Sequence, residues 1–254
     1  MIEINNVSFS FEQEVLRDIN IKFESGKFYT ILGPNGSGKT TLLRLLAKSL
    51  HSDKGKIIIN EKELTQIKSR VLAKEMAVVL QSTEIEFDFS VQDIVLMGRT
   101  PHISRFSSES EKDMEIAMKA MKATNTWELR NKSINTLSGG ERQRVVVARA
   151  IAQETGIILL DEPISHLDIH HQIEIMDQLK QLNLNKKITI IAVLHDLNIA
   201  AAYCDHMILM HDCGVYKEGI PEEVLTQDIL KQVYGLEVYI TKNPRTGKTF
   251  IMLF

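Results

Sequence analysis

Two periodicities divide the chain. Across the first thirty residues apolar and polar side chains alternate, with Ile2 and Ile4, then Ile19, Ile21 and Phe23 pointing one way and Ser25-Gly26 as a turn signal. Period-two alternation belongs to half-buried strands, because successive side chains of a strand point to opposite faces. We read antiparallel strands here. From Phe28 the pattern changes to short unbroken apolar runs, at 29–32, 76–80, 157–160 and 188–194, each followed by a turn and a helical stretch. Strands apolar on both faces belong in a buried parallel sheet of βαβ units. Between the second and third runs lies a polar segment, 83–110, and then a helix with Met114, Ala117, Met118 and Met121 at i, i+3, i+4 and i+7. No strand-like run interrupts this region. Residues 88–152 therefore read as a mostly helical insertion in an α/β core, with the methionines as packing. After Asp205 short strands return, with one late helix around 229–233.

Composition narrows the class without naming a chemistry. The 254 residues are 44% hydrophobic and 25% charged, and Lys+Arg 30 against Asp+Glu 33 leaves a net charge of −3. This is ordinary globular composition, long enough to bury a core without disulfides or metal. The apolar runs fall far short of the roughly 20 residues that a bilayer-spanning helix needs. The start, MIEINNVSFSF, lacks a basic segment followed by an apolar one, and neither terminus carries a lipidation signal. The expectation is a cytoplasmic chain with Cys204 and Cys213 as reduced thiols. A near-neutral balance without a Lys/Arg block gives nucleic-acid binding no electrostatic support.

The chemistry starts at residue 33. Gly33, Pro34, Asn35, Gly36, Ser37, Gly38, Lys39 and Thr40 spell G-x-x-x-x-G-K-[ST] between the strand 29–32 and a helix expected over 41–50. The glycines let backbone N–H groups turn inward around a phosphate, and the helix start, with Thr41, adds its partial positive charge. Lys39 would reach the β and γ phosphates, and the Thr40 hydroxyl would take a Mg2+ position. A second GKT, Gly247-Lys248-Thr249, should bind nothing, since Lys242 stands at the required first glycine and five residues remain for a helix. The run 157–160 ends in Asp161 and Glu162. In a parallel sheet that end faces the ligand crevice. Asp161 suits Mg2+ through water, and Glu162 suits the general base that activates water against a γ-phosphate.

Leu137-Ser138-Gly139-Gly140-Glu141 precedes a helix carrying Val145, Ala148, Ile151 and Ala152. A capping box accounts for Ser138 and Glu141 but not for two glycines, which leave the helix-start N–H groups bare to an anion. Gln81 ends a strand and can both accept from water and donate to phosphate. His195 also ends a strand, with an imidazole able to donate to an oxyanion. Asp168 would cap the helix that starts near His170. Cys204, His206, His211 and Cys213 superficially resemble zinc ligands, but a strand over 207–210 would scatter them, with Asp212-Cys213-Gly214 as its turn. His170 and His171 are adjacent and cannot share a helix face.

In order, the phosphate loop, Gln81, LSGGE, LLDEP, Ser165-His166-Leu167-Asp168 and His195 resemble the nucleotide-binding subunit of ABC transporters over nearly the whole chain, 1–254. The resemblance implies a RecA-like P-loop NTPase core with an N-terminal antiparallel β subdomain and an inserted helical subdomain, and ATP and Mg2+ as its ligands. It implies that Gln81 senses magnesium and γ-phosphate and that His195 contacts γ-phosphate. It also implies a head-to-tail dimer in which Ser138, Gly139 and Gly140 complete the partner copy's site and the Asp168 loop communicates between sites. An upstream aromatic stacks on adenine, with Phe11 as the candidate and Phe9 as its competitor.

The segments Met97-Gly98-Arg99-Thr100-Pro101-His102, Asp168-Ile169-His170-His171-Gln172, VLHDLNIAAAYCD and Val233-Tyr234-Gly235-Leu236 look like the ATPases of iron-chelate, haem and vitamin B12 uptake. That branch implies integral membrane permease subunits docking near Gln81 and 83–90, an indirect link to a substrate-binding protein, and a peripheral place on the cytoplasmic face of the membrane. Ile164 and His166 depart from the residues common there, without removing a catalytic atom. A soluble ABC protein of repair or translation is the competing reading. Those usually carry paired cassettes or long coiled-coil insertions, and this chain has neither.

Overall fold

The computed structural model describes residues 1–80, 88–104, 107–165 and 167–253. Gln81, His166 and residues 83–87 lie outside the described residues. Along the chain run β1 (Ile2–Ser10), β2 (Glu14–Phe23), β3 (Phe28–Leu32), α1 (Lys39–Leu46), β4 (Lys54–Ile59), β5 (Lys62–Glu63), α2 (Ser69–Glu75) and β6 (Met76–Val79). Then come α3 (Val91–Leu96), α4 (Glu111–Ala123), α5 (Gly139–Ala152), β7 (Ile157–Asp161), α6 (Ile169–Lys186), β8 (Thr189–Val193) and α7 (Leu197–Tyr203). The last elements are β9 (His206–His211), β10 (Gly214–Gly219), α8 (Pro221–Val224), α9 (Gln227–Tyr234), β11 (Val238–Lys242) and β12 (Thr249–Leu253). No helix among the described residues is long and apolar enough to cross a membrane. Two compact units emerge, Met1–Ile67 with Thr189–Phe254, and Lys68–Ile188.

In the first unit β1 and β2 pair antiparallel with Ile2 opposite Phe23 and Ile4 opposite Ile21. The alternating apolar set is thereby gathered on one face, and all four residues are buried. In a second sheet β3 lies between β8 and β9, parallel to both. Every residue of β3 and β8 is buried, as their unbroken apolar runs require. The β9–β10 hairpin turns on Asp212 and Cys213, both at positive φ (47° and 63°), the combination that a type I′ turn demands. His206 packs edge-on against Tyr29, and the Cys213 thiol donates to the Glu14 carbonyl. The second GKT closes the β11–β12 hairpin, Thr249 opening a strand rather than a helix. That hairpin is tied to α7 by the Asn198 amide, which donates to Ile251 O (3.0 Å) and accepts from Ile251 N (2.7 Å).

In the second unit β6 and β7 pair in parallel, Met76 opposite Ile157 and Val79 opposite Leu160. Gly98 permits α3 to approach α5, because a Cβ there would stand 2.3 Å from the Arg149 carbonyl oxygen. The next residue, Arg99, is buried and binds Asp113 (3.0 Å), the Ala152 carbonyl (2.7 Å) and Glu154 (3.1 Å). The Met-Gly-Arg segment thus staples α3 to α4 and to the end of α5.

Two boundaries differ from expectation. Helix α1 starts at Lys39, not Thr41, and ends at Leu46 rather than 50, because Lys48 turns left-handed (φ 58°) and its ammonium donates to the Thr65 and Ile67 carbonyls. The buried line on α4 is Asp113, Ala117, Ala120 and Met121, so Met114 is exposed. The Asp113 ion pair with Arg99 rotates the helix away from the line that its methionines suggested.

Candidate active site

The phosphate loop is built in the first unit. Pro34–Ser37 forms a turn closed by Ser37 N–H donating to the Pro34 carbonyl (3.3 Å), with Gly36 left-handed at its third position (φ 82°) as type II geometry requires. Gly38 is held for space as well as conformation, since a Cβ there would stand 2.6 Å from Leu16 and 2.8 Å from the Val15 carbonyl on β2. The Lys39 ammonium donates to the carbonyls of Gly33 (2.8 Å) and Pro34 (2.9 Å). The Ser37 hydroxyl is buried without a hydrogen-bond partner among the described residues. A buried hydroxyl with no partner costs stability unless a ligand satisfies it. The loop therefore suits an anion that accepts from the hydroxyl and from the loop N–H groups.

His195 arrives beside this loop through strand register. Ile31 pairs with Val193 in the parallel β3–β8 ladder, and Leu194 N–H donates to the Ile31 carbonyl (3.3 Å), so two residues further on Gly33 and His195 leave the same sheet edge side by side. Asp196 then caps α7 (2.8 Å to Ile199 N). Phe9 is buried in the sheet at 6% exposure, whereas Phe11 lies beyond the strand at 62%, its ring edge-on to Phe9.

The second unit carries the other candidates. Asp161 closes β7 and is buried. Glu162 follows with φ 51°, a left-handed conformation that costs a glutamate about 1–2 kcal/mol. The Ser165 N–H and hydroxyl hold it there, both donating to the Glu162 carbonyl (3.2 and 2.9 Å). Ser138 caps α5 in a full capping box with Glu141, and its backbone N–H, donating first, holds the Glu141 carboxyl below the usual range. Gly139 meets nothing within 4 Å of an added Cβ, and neither it nor Gly140 has a left-handed φ. Within the chain no strain or crowding demands Gly139.

Asp168 caps α6, accepting from His171 N (3.0 Å) and from the His171 ring Nδ1 (2.7 Å). The same ring lies 3.4 Å from where a Gly140 Cβ would stand. His171 therefore bridges the Ser165–Asp168 segment and the LSGGE helix start, a role that its sequence neighbourhood alone did not signal.

Tyr234 was also missed as a site residue. Burial pushes its phenol up to about 12, offset in part by a hydrogen bond from the Gly33 backbone N–H. The carbonyl of the loop's first glycine is held by Lys39, and the Tyr234 phenol lies against the same residue.

The sequence profile of the ABC transporter family matches residues 16–165. The iron(3+)-hydroxamate import ATP-binding protein FhuC of Bacillus subtilis (strain 168) is 39% identical, covering 96% of this chain and 90% of that protein. This chain belongs to the ABC transporter family. Among solved structures, an inward-facing transporter assigned to the metal-chelate ABC type has a chain with TM-score 0.87 and 29% identity, covering 100% of this chain and 96% of that one. A dimeric ATP-binding cassette in a post-hydrolysis state, bound to ADP and phosphate, aligns with TM-score 0.78 and 27% identity over 87% of this chain and 99% of that one. The protein is an ABC-type ATPase with the α/β P-loop fold, and ATP is its nucleotide.

Proposed function

We propose that this ABC ATPase drives import of an iron chelate, haem or cobalamin through separate membrane permease subunits, which it meets at the cytoplasmic face and which a substrate-binding protein supplies. Similarity to an iron-hydroxamate import ATPase along almost the whole chain carries the reading, because it extends through the C-terminal elements beyond the matched family profile. Two copies work head to tail, a reading supported by the similar cassette being dimeric. Residues 88–152 act as the inserted helical subdomain.

In this reading Lys39 and the loop from Gly33 to Thr41 hold the β and γ phosphates, and Phe11 stacks on adenine. Its exposure leaves a ring face available, whereas Phe9 is committed to the core. Thr40 and Asp161 offer the hard oxygens that Mg2+ prefers, and Gln81 is the third candidate ligand. When bound, the metal neutralises phosphate charge. Glu162 accepts the proton of the attacking water, and His195 donates to the γ-phosphate. Ser138, Gly139 and Gly140 present the start of α5 to the partner copy's nucleotide, with Asp168 relaying between the two sites.

Glu162→Gln should keep ATP binding, lose hydrolysis and accumulate as an ATP-dependent dimer on size-exclusion chromatography. Hydrolysis at the wild-type rate would remove the base assignment. Loss of iron(3+)-hydroxamate uptake in a deletion strain, restored by the wild type but not by Glu162→Gln, is the expected transport result. Intact uptake of iron chelates, haem and cobalamin, together with copurification on ribosomes or DNA instead of a polytopic membrane protein, would favour the soluble ABC reading.

A further inference from the structure

A cavity of about 580 Å³ opens within the second unit between α4, the end of α5 and the second half of α6. Its volume lies inside the range of about 300–1,000 Å³ typical of small-molecule sites. Ile116, Ala120, Ile151 and Leu182 supply apolar lining, and Gln178 and Lys186 supply polar groups. The Gln178 Oε1 is buried and has no hydrogen-bond partner among the described residues. Buried acceptors are almost always paired, so an unmet one on a cavity wall marks a place for a donor.

The charges at the cavity are unequal in their commitments. Lys119 is paired with Glu115 (2.6 Å), Glu154 with Arg99 (3.1 Å), and Asp177 has an interaction of its own. Lys186, in the last turn of α6, has no ion-pair partner among the described residues. The uncommitted charge is therefore positive, and it stands where an anionic head group would leave the apolar floor.

We propose that this cavity binds a small organic anion with an apolar body and an N–H or O–H donor, the donor meeting Gln178 Oε1 and the anion meeting Lys186. Such a ligand touches both helices that carry candidate site residues, α5 from Ser138 and α6 from the Asp168 cap, at their far ends. The site is an effector site in form, built from residues that no step of ATP hydrolysis uses.

The test titrates the purified full chain with 1-anilinonaphthalene-8-sulfonate, which has apolar rings, an N–H and a sulfonate, and in parallel with N-phenyl-1-naphthylamine, the same body without the charge. We expect saturable binding of one sulfonate dye per chain, with hydrogen-exchange protection confined to 116–123, 151–154 and 178–186. Ala123→Trp, at an exposed position on the cavity wall, should weaken it at least tenfold without changing the melting temperature. Lys186→Glu should weaken the sulfonate dye at least fivefold and the neutral dye less than twofold. Non-saturable binding, protection elsewhere, or Ala123→Trp binding like the wild type would overturn the site. Equal losses for both dyes in Lys186→Glu would overturn the anionic ligand class.

Discussion

The Lys39 ammonium donates to the carbonyl oxygen of Gly33 at 2.8 Å, folding the side chain back over the loop whose phosphate it is proposed to hold. The Tyr234 phenol lies against the same glycine from within the first unit. Lys39→Ala should lower ATP hydrolysis by about 100-fold or more, the scale seen when one donor to a charged transition state is removed. Phosphate release against ATP concentration checks it, and a residual rate near wild type would show that the loop carbonyls, not the nucleotide, are the lysine's purpose.

Two phenylalanines two residues apart should fail in different ways. Phe11→Ala removes an exposed ring and should raise the KM for ATP about tenfold, consistent with about 1–3 kcal/mol for base stacking, while leaving the melting temperature unchanged. Phe9→Ala empties a core position and should cost about 3–5 kcal/mol in urea unfolding. The reverse pattern would assign adenine to Phe9.

At Glu162 the backbone conformation suits glycine better than glutamate. Glu162→Gly should abolish hydrolysis yet leave unfolding stability within about 1 kcal/mol of wild type, because the relieved left-handed strain offsets the freedom glycine gains when unfolded. A large loss of stability would mean that the side chain is held for structure.

Arg99 and Asp113 give a pH-dependent staple. The Ser110 hydroxyl and N–H, then Arg99, hold the Asp113 carboxyl down at about 2. A depressed carboxylate contributes stability that is present above its unfolded value near 4 and disappears as pH falls through about 2. Stability should therefore decline between those values, and Asp113→Asn should flatten that part of the profile in chemical unfolding measured from pH 5 to pH 2. Arg99→Ala leaves buried partners unmatched and should cost about 3 kcal/mol at pH 7.

Local chemistry made much of this protein legible from the chain alone. Alternation marked β1 and β2, unbroken apolar runs marked β3, β6, β7 and β8, and Ser138 and Asp168 were recognisable as caps because a cap reaches only three residues ahead. The loop from Gly33 to Thr40 was readable for the same reason, since its glycine requirement is imposed mainly by its own turns. Phe9 and Phe11 stayed open, because alternation puts both on one face without saying where the strand ends.

What the sequence by itself determined, then, are the first antiparallel strands, the buried parallel strands, the helices next to the motifs, the phosphate loop and the family's motifs, all fixed by neighbours within a few positions. Tertiary structure alone decided that Tyr234 lies against Gly33, that His171 links Asp168 to Gly140, and that Arg99 turns α4 away from its methionine stripe. Those contacts join residues from 3 to about 200 positions apart through burial and hydrogen bonding. Their partners are chosen by which side chains packing brings together, and no periodicity along the chain encodes that choice.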